Sequence, residues 1–220
     1  AIIQAALDEW GRIDILIHNA GNVRYGALRD VSYDDLKSVV DVHLMGAFHV
    51  VQPAFGPMCD AGYGRIVLTS SVGGLYGNIN CVNYGMSKSG MLGLSNIAAL
   101  EGEAHNVKSN LIVPAAVTRM AEGLDISQYP PMDPELVAPT VGWLCHEDCT
   151  VTGEMIASIA GRIARMFVAE TRGAYRPSWT IEEVAAAAEA IHDKREIIDF
   201  GLHGHVDHIG YSFEMARKGG

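Results

Sequence analysis

Hydrophobic positions follow two different periods along this chain, and the two periods take turns. Ile13-Asp-Ile-Leu-Ile17, Arg65-Ile-Val-Leu-Thr69, Val107 to Val113 and Glu154 to Ile159 are short apolar runs rich in β-branched residues, the pattern of strands buried in a parallel sheet. Longer stretches between them predict helices over about 33–59, 82–104 and 133–146. Residues 1–9 read as the end of a helix that Gly11 stops. Ser32-Tyr-Asp-Asp35 and Thr180-Ile-Glu-Glu183 have the spacing of capping boxes, and Asp133-Pro134 places Pro at a first helical position. Gly62 and Gly64 break the first long helix, and Gly73, Gly74 and Gly77 mark a loop after the second strand. The tail, with Gly201, Gly204 and Gly210 among His203, His205 and His208, is expected to be irregular. Strand alternating with helix predicts an α/β fold, a doubly wound parallel sheet joined by right-handed crossovers.

Composition narrows the functional classes. A chain of 220 residues, 49% hydrophobic, holds one domain with a sizeable core. A net charge of −10 without any basic block argues against nucleic acid and against an anionic membrane as partners. No apolar run reaches about 18 residues, the span of a bilayer. The start has neither the basic nor the apolar region of a signal peptide. Four cysteines are too few for a disulfide scaffold, so a reducing, cytoplasmic setting is expected. The chain opens without Met and within a helical pattern, which suggests a fragment.

The densest chemistry lies between Ser71 and Lys88. Tyr84-Gly-Met-Ser-Lys88 sets a phenol and an ammonium four apart, on one helix face. A neighbouring ammonium favours the phenolate and lowers the tyrosine pKa toward working pH. Such a tyrosine can exchange a proton with a substrate oxygen. Ser71, at the end of a predicted strand, could polarise the same oxygen. These are the parts needed to interconvert an alcohol and a carbonyl while a cofactor carries the hydride. Asn19-Ala-Gly21 makes either a plain tight turn or a cofactor contact. His43 is either a satisfied helix histidine or part of a proton relay. Cys145-His-Glu-Asp-Cys149 offers an incomplete metal shell and the tail histidines are better read as solvated, so no metal is expected. Met91 suits core packing, and Met86 suits either core or an acyl pocket.

In this order and on these elements, Asp14-Ile-Leu-Ile-His-Asn-Ala-Gly21, Arg65-Ile-Val-Leu-Thr-Ser-Ser71, Tyr84-Gly-Met-Ser-Lys88 and Pro114 resemble the short-chain dehydrogenase/reductase family over nearly the whole chain. Val42-His-Leu44, Gly74-Leu-Tyr-Gly-Asn78, Trp143 to Cys149 and Pro177 to Val184 are most similar to its (3R)-hydroxyacyl-CoA dehydrogenase subgroup, found in peroxisomal multifunctional enzymes and as single-domain bacterial proteins. The resemblance implies a Rossmann-type sheet whose N-terminal half lies outside this chain. Residues 1–160 would be the C-terminal part of a dehydrogenase domain and 161–220 its extension. It also implies catalytic Ser71, Tyr84, Lys88 and His43, the last where the family usually carries Asn. Cofactor contacts would come from Asn19, Ala20, Gly21, Tyr84, Lys88, Ala116, Val117, Thr118 and Arg119.

The implied cofactor is NAD or NADP, with NAD favoured, and the implied substrate is a small secondary alcohol or ketone, a (3R)-hydroxyacyl-CoA first. Steroid, terpenoid or acyl-carrier-protein carbonyls are the alternative, with the loop from Ala121 to Pro131 expected to differ between these substrates, and a non-catalytic remnant that only oligomerises is the reading from another class. The glycine-rich cofactor turn of the family is missing, and with it on the order of 80 residues, about one mononucleotide-binding half. Apolar faces on the helices over 33–59 and 82–104 predict a homodimer or homotetramer.

Overall fold

The computed structural model describes residues 1–118, 125 and 127–219. They form two compact units, Ala1–Met166 and Phe167–Gly220. That division falls a few residues beyond the expected boundary at 160.

In the first unit, strands β1 (Ile15–His18), β2 (Gly64–Thr69), β3 (Val107–Ala115) and β4 (Met155–Ile159) lie side by side in chain order, all parallel, and β5 (Arg162–Met166) adds an antiparallel edge. All six residues of β2 are buried, as a central strand covered on both faces requires. Helices α1 (Ile2–Trp10), α3 (Gly46–Asp60) and α5 (Val82–Gly102) cover one face, where Leu16, Ile66, Leu68, Leu111 and Val113 meet Ala47, Val51, Met58 and Met91. Helix α6 (Ala138–Cys145) covers the other, packing Leu144 and Cys145 on Val67, Ile112 and Ile156. Ile15 and Ile17, on that second face of β1, stay about half exposed at 49% and 51%.

Local chemistry explains most boundaries. Gly11 ends α1 in the left-handed conformation, φ 70°. Ser32 caps α2 (Tyr33–Val40) by accepting from the Asp35 amide at 3.0 Å. The long helix predicted over 33–59 forms in three sections, because a π-helical turn, Asp41–Met45, interrupts it between α2 and α3. Asp133 makes no side-chain cap. A 3₁₀ turn, Pro134–Leu136, precedes α6, so the expected single helix starts later than its Pro suggests. Strand β5 was not expected. Its turn is Ala160-Gly161, both at positive φ, 47° and 79°, which a two-residue hairpin of the primed type demands but which Ala does not advertise.

The second unit pairs β6 (Glu170–Thr171) with β7 (Ile197–Ile198) and carries α7 (Ile181–Ala186), α8 (Ala188–Ile191) and α9 (Gly204–Lys218). The Thr180–Glu183 capping box forms in full. The irregular tail expected from its glycines is instead α9. Val206, Ile209 and Phe213 recur on one side of it, and Gly219 closes it at φ 80°. Among the described residues no helix is long and apolar enough to cross a membrane.

Candidate active site

The strands of the sheet end together, and the predicted site residues follow those ends. Asn19-Ala-Gly21 leaves β1, Ser70 and Ser71 leave β2, and Ala116 to Thr118 leave β3. In an open α/β sheet this carboxyl edge is where ligands bind. The Thr69 hydroxyl donates to Asn19 Oδ1 at 3.0 Å, which locks the first two strand ends together. Val117 N–H donates to the Met132 carbonyl at 2.7 Å. Arg119, assigned to the cofactor, and Met120 lie outside the described residues, as does most of the loop that follows.

Helix α5 brings Tyr84 and Lys88 to this edge. Its start is fastened by Asn83, whose Nδ2 donates to the Arg24 carbonyl at 3.0 Å. Lys88 grips the end of β2 twice. Its Nζ donates to the Thr69 carbonyl at 2.6 Å, and its own carbonyl accepts from Ser70 Oγ at 2.8 Å. The close approach has a steric condition. A Cβ on Gly74, in the short helix α4 (Val72–Leu75), would stand 2.6 Å from Lys88 Cβ and 2.9 Å from its carbonyl carbon. Only glycine lets α4 lie against α5 here. Lys88 is 3% exposed, and burial alone draws its ammonium down to about 8.

Ser71 caps α4, accepting from the Gly73 amide at 3.1 Å, and its hydroxyl also hydrogen-bonds the Tyr84 phenol. The Lys88 ammonium lies 5.6 Å from the centre of the Tyr84 ring. The three expected catalytic side chains are therefore gathered at one edge. The expected downward pull of Lys88 on the phenol is not found. Burial raises the Tyr84 pKa, Cys81 and Tyr25 add to that, and only the Ser71 bond opposes it. The reason is positional: the ammonium is turned to the Thr69 carbonyl.

His43 sits in the π-helical turn, 1% exposed, behind Tyr84. Its Nε2 lies 3.0 Å from the Asn22 amide nitrogen and 2.8 Å from the Asn22 carbonyl oxygen. A Cβ on Gly21 would meet its Cε1 at 2.5 Å, so the ring fills the space beneath the Asn19-Ala-Gly21 turn. Its Nδ1 is buried without a partner, as is that of His18. Burial draws His43 down to about 4, with Lys88 and His18 adding to the fall. Met91 is core at 0% exposure, while Met86 is exposed at 55%.

Sequence reasoning missed three participants. Asn22 anchors His43 through its backbone, which no residue type signals. Tyr25 and Cys81 line a cavity of about 370 Å³ together with Ser71 and Tyr84. They reach it through loop geometry that no spacing rule encodes.

Known proteins are similar to this chain in sequence and in fold. Residues 1–127 match the family model for short chain dehydrogenase. The chain is 44% identical to peroxisomal multifunctional enzyme type 2 of Drosophila melanogaster over 99% of its own length and 40% of that protein. It is 35% identical to acetoacetyl-CoA reductase of an Acinetobacter strain, over 73% of this chain and 70% of the reductase. The solved structure of the full-length Drosophila enzyme superposes with a TM-score of 0.83 at 38% identity, covering 92% of this chain and 38% of that one. The chain thus spans well under half of the multifunctional relative, and on its sheet, its site and these likenesses it belongs to the short-chain dehydrogenase family.

Proposed function

We propose that this chain carries the catalytic side of an oxidoreductase that moves a hydride between a nicotinamide cofactor and a secondary alcohol or ketone, with a (3R)-hydroxyacyl thioester as substrate. The observation that carries the reading is the meeting of Ser71, Tyr84 and Lys88 at the carboxyl edge of the sheet. The names of the similar proteins, a peroxisomal multifunctional enzyme and an acetoacetyl-CoA reductase, support an acyl-CoA substrate class.

The residues present suit the ribose and nicotinamide end of such a cofactor. An ammonium and a phenol can bind a sugar diol, while the Asn19 turn and Val117 offer amide and backbone groups to a carboxamide. When bound, the nicotinamide supplies the hydride acceptor or donor. In reduction, Tyr84 gives its proton to the carbonyl oxygen as the carbon gains hydride, and Ser71 holds that oxygen. Its raised pKa keeps Tyr84 protonated at neutral pH, the form this direction uses. In oxidation the phenolate takes the hydroxyl proton as hydride leaves the carbon, while Lys88, fixed on the Thr69 carbonyl, holds the strand end beside it. His43 acts here as a positioning residue: neutral and fixed by Asn22, it braces Tyr84 and the turn.

NAD is the favoured cofactor, and association into a homodimer or homotetramer is part of the same proposal. The test uses the natural protein with (3R)- and (3S)-3-hydroxybutyryl-CoA and with NAD or NADP, following reduced nicotinamide. Turnover confined to the 3R thioester is expected. Turnover of neither enantiomer, or of the 3S form alone, would overturn the reading.

A further inference from the structure

The cavity beside Ser71 and Tyr84 has a rim made of two loops, residues 22–27 and 76–81, that are fastened to each other. Gly26 bridges Cys81 in parallel-strand fashion, and its N–H donates to the Asn80 carbonyl at 2.9 Å. The Asn83 amide holds the Arg24 carbonyl from the next turn of chain. These links set the backbone of Tyr25 in place although its side chain is 73% exposed. A rim built this way is formed before any substrate arrives, which lowers the ordering cost of binding.

Apart from Ser71 and Tyr84, the side-chain donors lining the cavity are Tyr25, Tyr76 and Asn78. The Asn78 amide is turned onto Cys81 Sγ at 3.9 Å. Of the two phenols, Tyr25 is the one close enough to Tyr84 to make the Tyr84 proton harder to lose. Tyr25 also lines the same cavity as Ser71 and Tyr84. A plain secondary alcohol has one oxygen, and Ser71 and Tyr84 hold it. A 3-hydroxyacyl or 3-oxoacyl thioester has a second oxygen two carbons away, a carbonyl that can only accept a hydrogen bond. A donor held beside that carbonyl adds one hydrogen bond to binding that a plain alcohol cannot use.

Resting on the oxidoreductase reading above, we propose that Tyr25 is a specificity-determining residue that donates its phenolic hydrogen bond to the thioester carbonyl. It thereby selects substrates with oxygens in 1,3 relation over simple alcohols and ketones.

The test compares kcat/KM for 3-hydroxybutyryl-CoA and for 2-butanol in the natural protein, in Tyr25→Phe and in Tyr84→Phe. Tyr25→Phe keeps the ring and removes only the hydroxyl. The ratio of thioester to plain alcohol is expected to fall about 3- to 10-fold, the worth of one hydrogen bond. A ratio that stays constant, because neither or both activities fall, overturns the role of Tyr25 while leaving the oxidoreductase reading intact. Full retention of both activities in Tyr84→Phe overturns the catalytic reading instead. Failure of the natural protein to turn over either substrate overturns both.

Discussion

The imidazole of His43 meets the Tyr84 ring edge to face, with centroids 5.3 Å apart and planes at 87°. One ring nitrogen is committed to the Asn22 backbone, and the ring fills the hollow that glycine leaves at position 21. A helix histidine thus ties the turn after β1 to the side chain proposed to move the proton. The π-helical turn adds a residue to the helix at that point, a device found often at functional sites.

This placement predicts an acid-sensitive fold. His43 titrates near 4 in the folded chain and near 6.5 when unfolded. Its contribution to stability is therefore complete above pH 6.5 and is lost as pH falls through 4, amounting to about 2–3 kcal/mol. Urea unfolding between pH 4 and 7 is expected to show this slope, reduced in His43→Gln. An equal slope in both proteins would contradict it.

Tyr84→Phe is expected to lower turnover by at least about 10²-fold, the scale of general acid–base catalysis. The fold should persist, since the ring keeps its contact with His43 and loses only the Ser71 bond. Near-natural circular dichroism with activity retained would contradict the assignment of the proton to this phenol.

The parallel strands and the placing of Tyr84 and Lys88 together were legible in the sequence for the same reason: both depend on local spacing. Four apolar runs gave four strands in register, and a gap of four residues put Tyr84 and Lys88 on one helix face. What was hidden depended on distant partners. Whether Lys88 would pull on the phenol turned on the Thr69 carbonyl, which competes for the ammonium. Strand β5 was masked by Ala160, whose φ of 47° is imposed by pairing and not by preference. Helix α9 was masked by glycines whose low propensity yields to an apolar stripe.

Gly74→Ala tests the fit of α4 against α5. The added methyl meets Lys88 and Ser89 backbone atoms at 2.9 and 3.0 Å, which cannot swing aside. A loss of about 1–3 kcal/mol is expected, the usual cost of overpacking. Gly142→Ala, in α6 with open space around it, should instead gain about 0.5–1 kcal/mol. Equal changes in the two variants, measured by thermal or urea unfolding, would contradict the close approach.

Self-association is predicted through the α3 and α5 surfaces. Phe48 and Ile97 are 45% and 54% exposed there, more than water-facing helix positions need. Sedimentation should show a dimer or tetramer that Phe48→Glu with Ile97→Glu weakens. A natural protein that stays monomeric at micromolar concentration would rule this out.

Lys88 should make activity and stability move in opposite directions with pH. Its ammonium is nearly fully buried and is drawn from 10.5 to about 8. The ammonium is also the group proposed to bind the cofactor's ribose, so oxidation is expected to decline as pH rises beyond about 8, and Lys88→Met should lose it at every pH. Stability runs the other way. Between pH 8 and 10.5 the unfolded chain still binds the proton that the folded chain has released, so the folded state gains as pH rises. Below pH 8 both states hold the proton and the full cost of burying the charge is present. The stability of the natural protein relative to Lys88→Met should therefore increase by about 2–3 kcal/mol from pH 8 to 10.5. Taking the difference between the two proteins removes the titration of every group they share. A difference that stays flat across that range would mean that Lys88 is not desolvated, and that its link to the Thr69 carbonyl is not what holds it at the edge of the sheet.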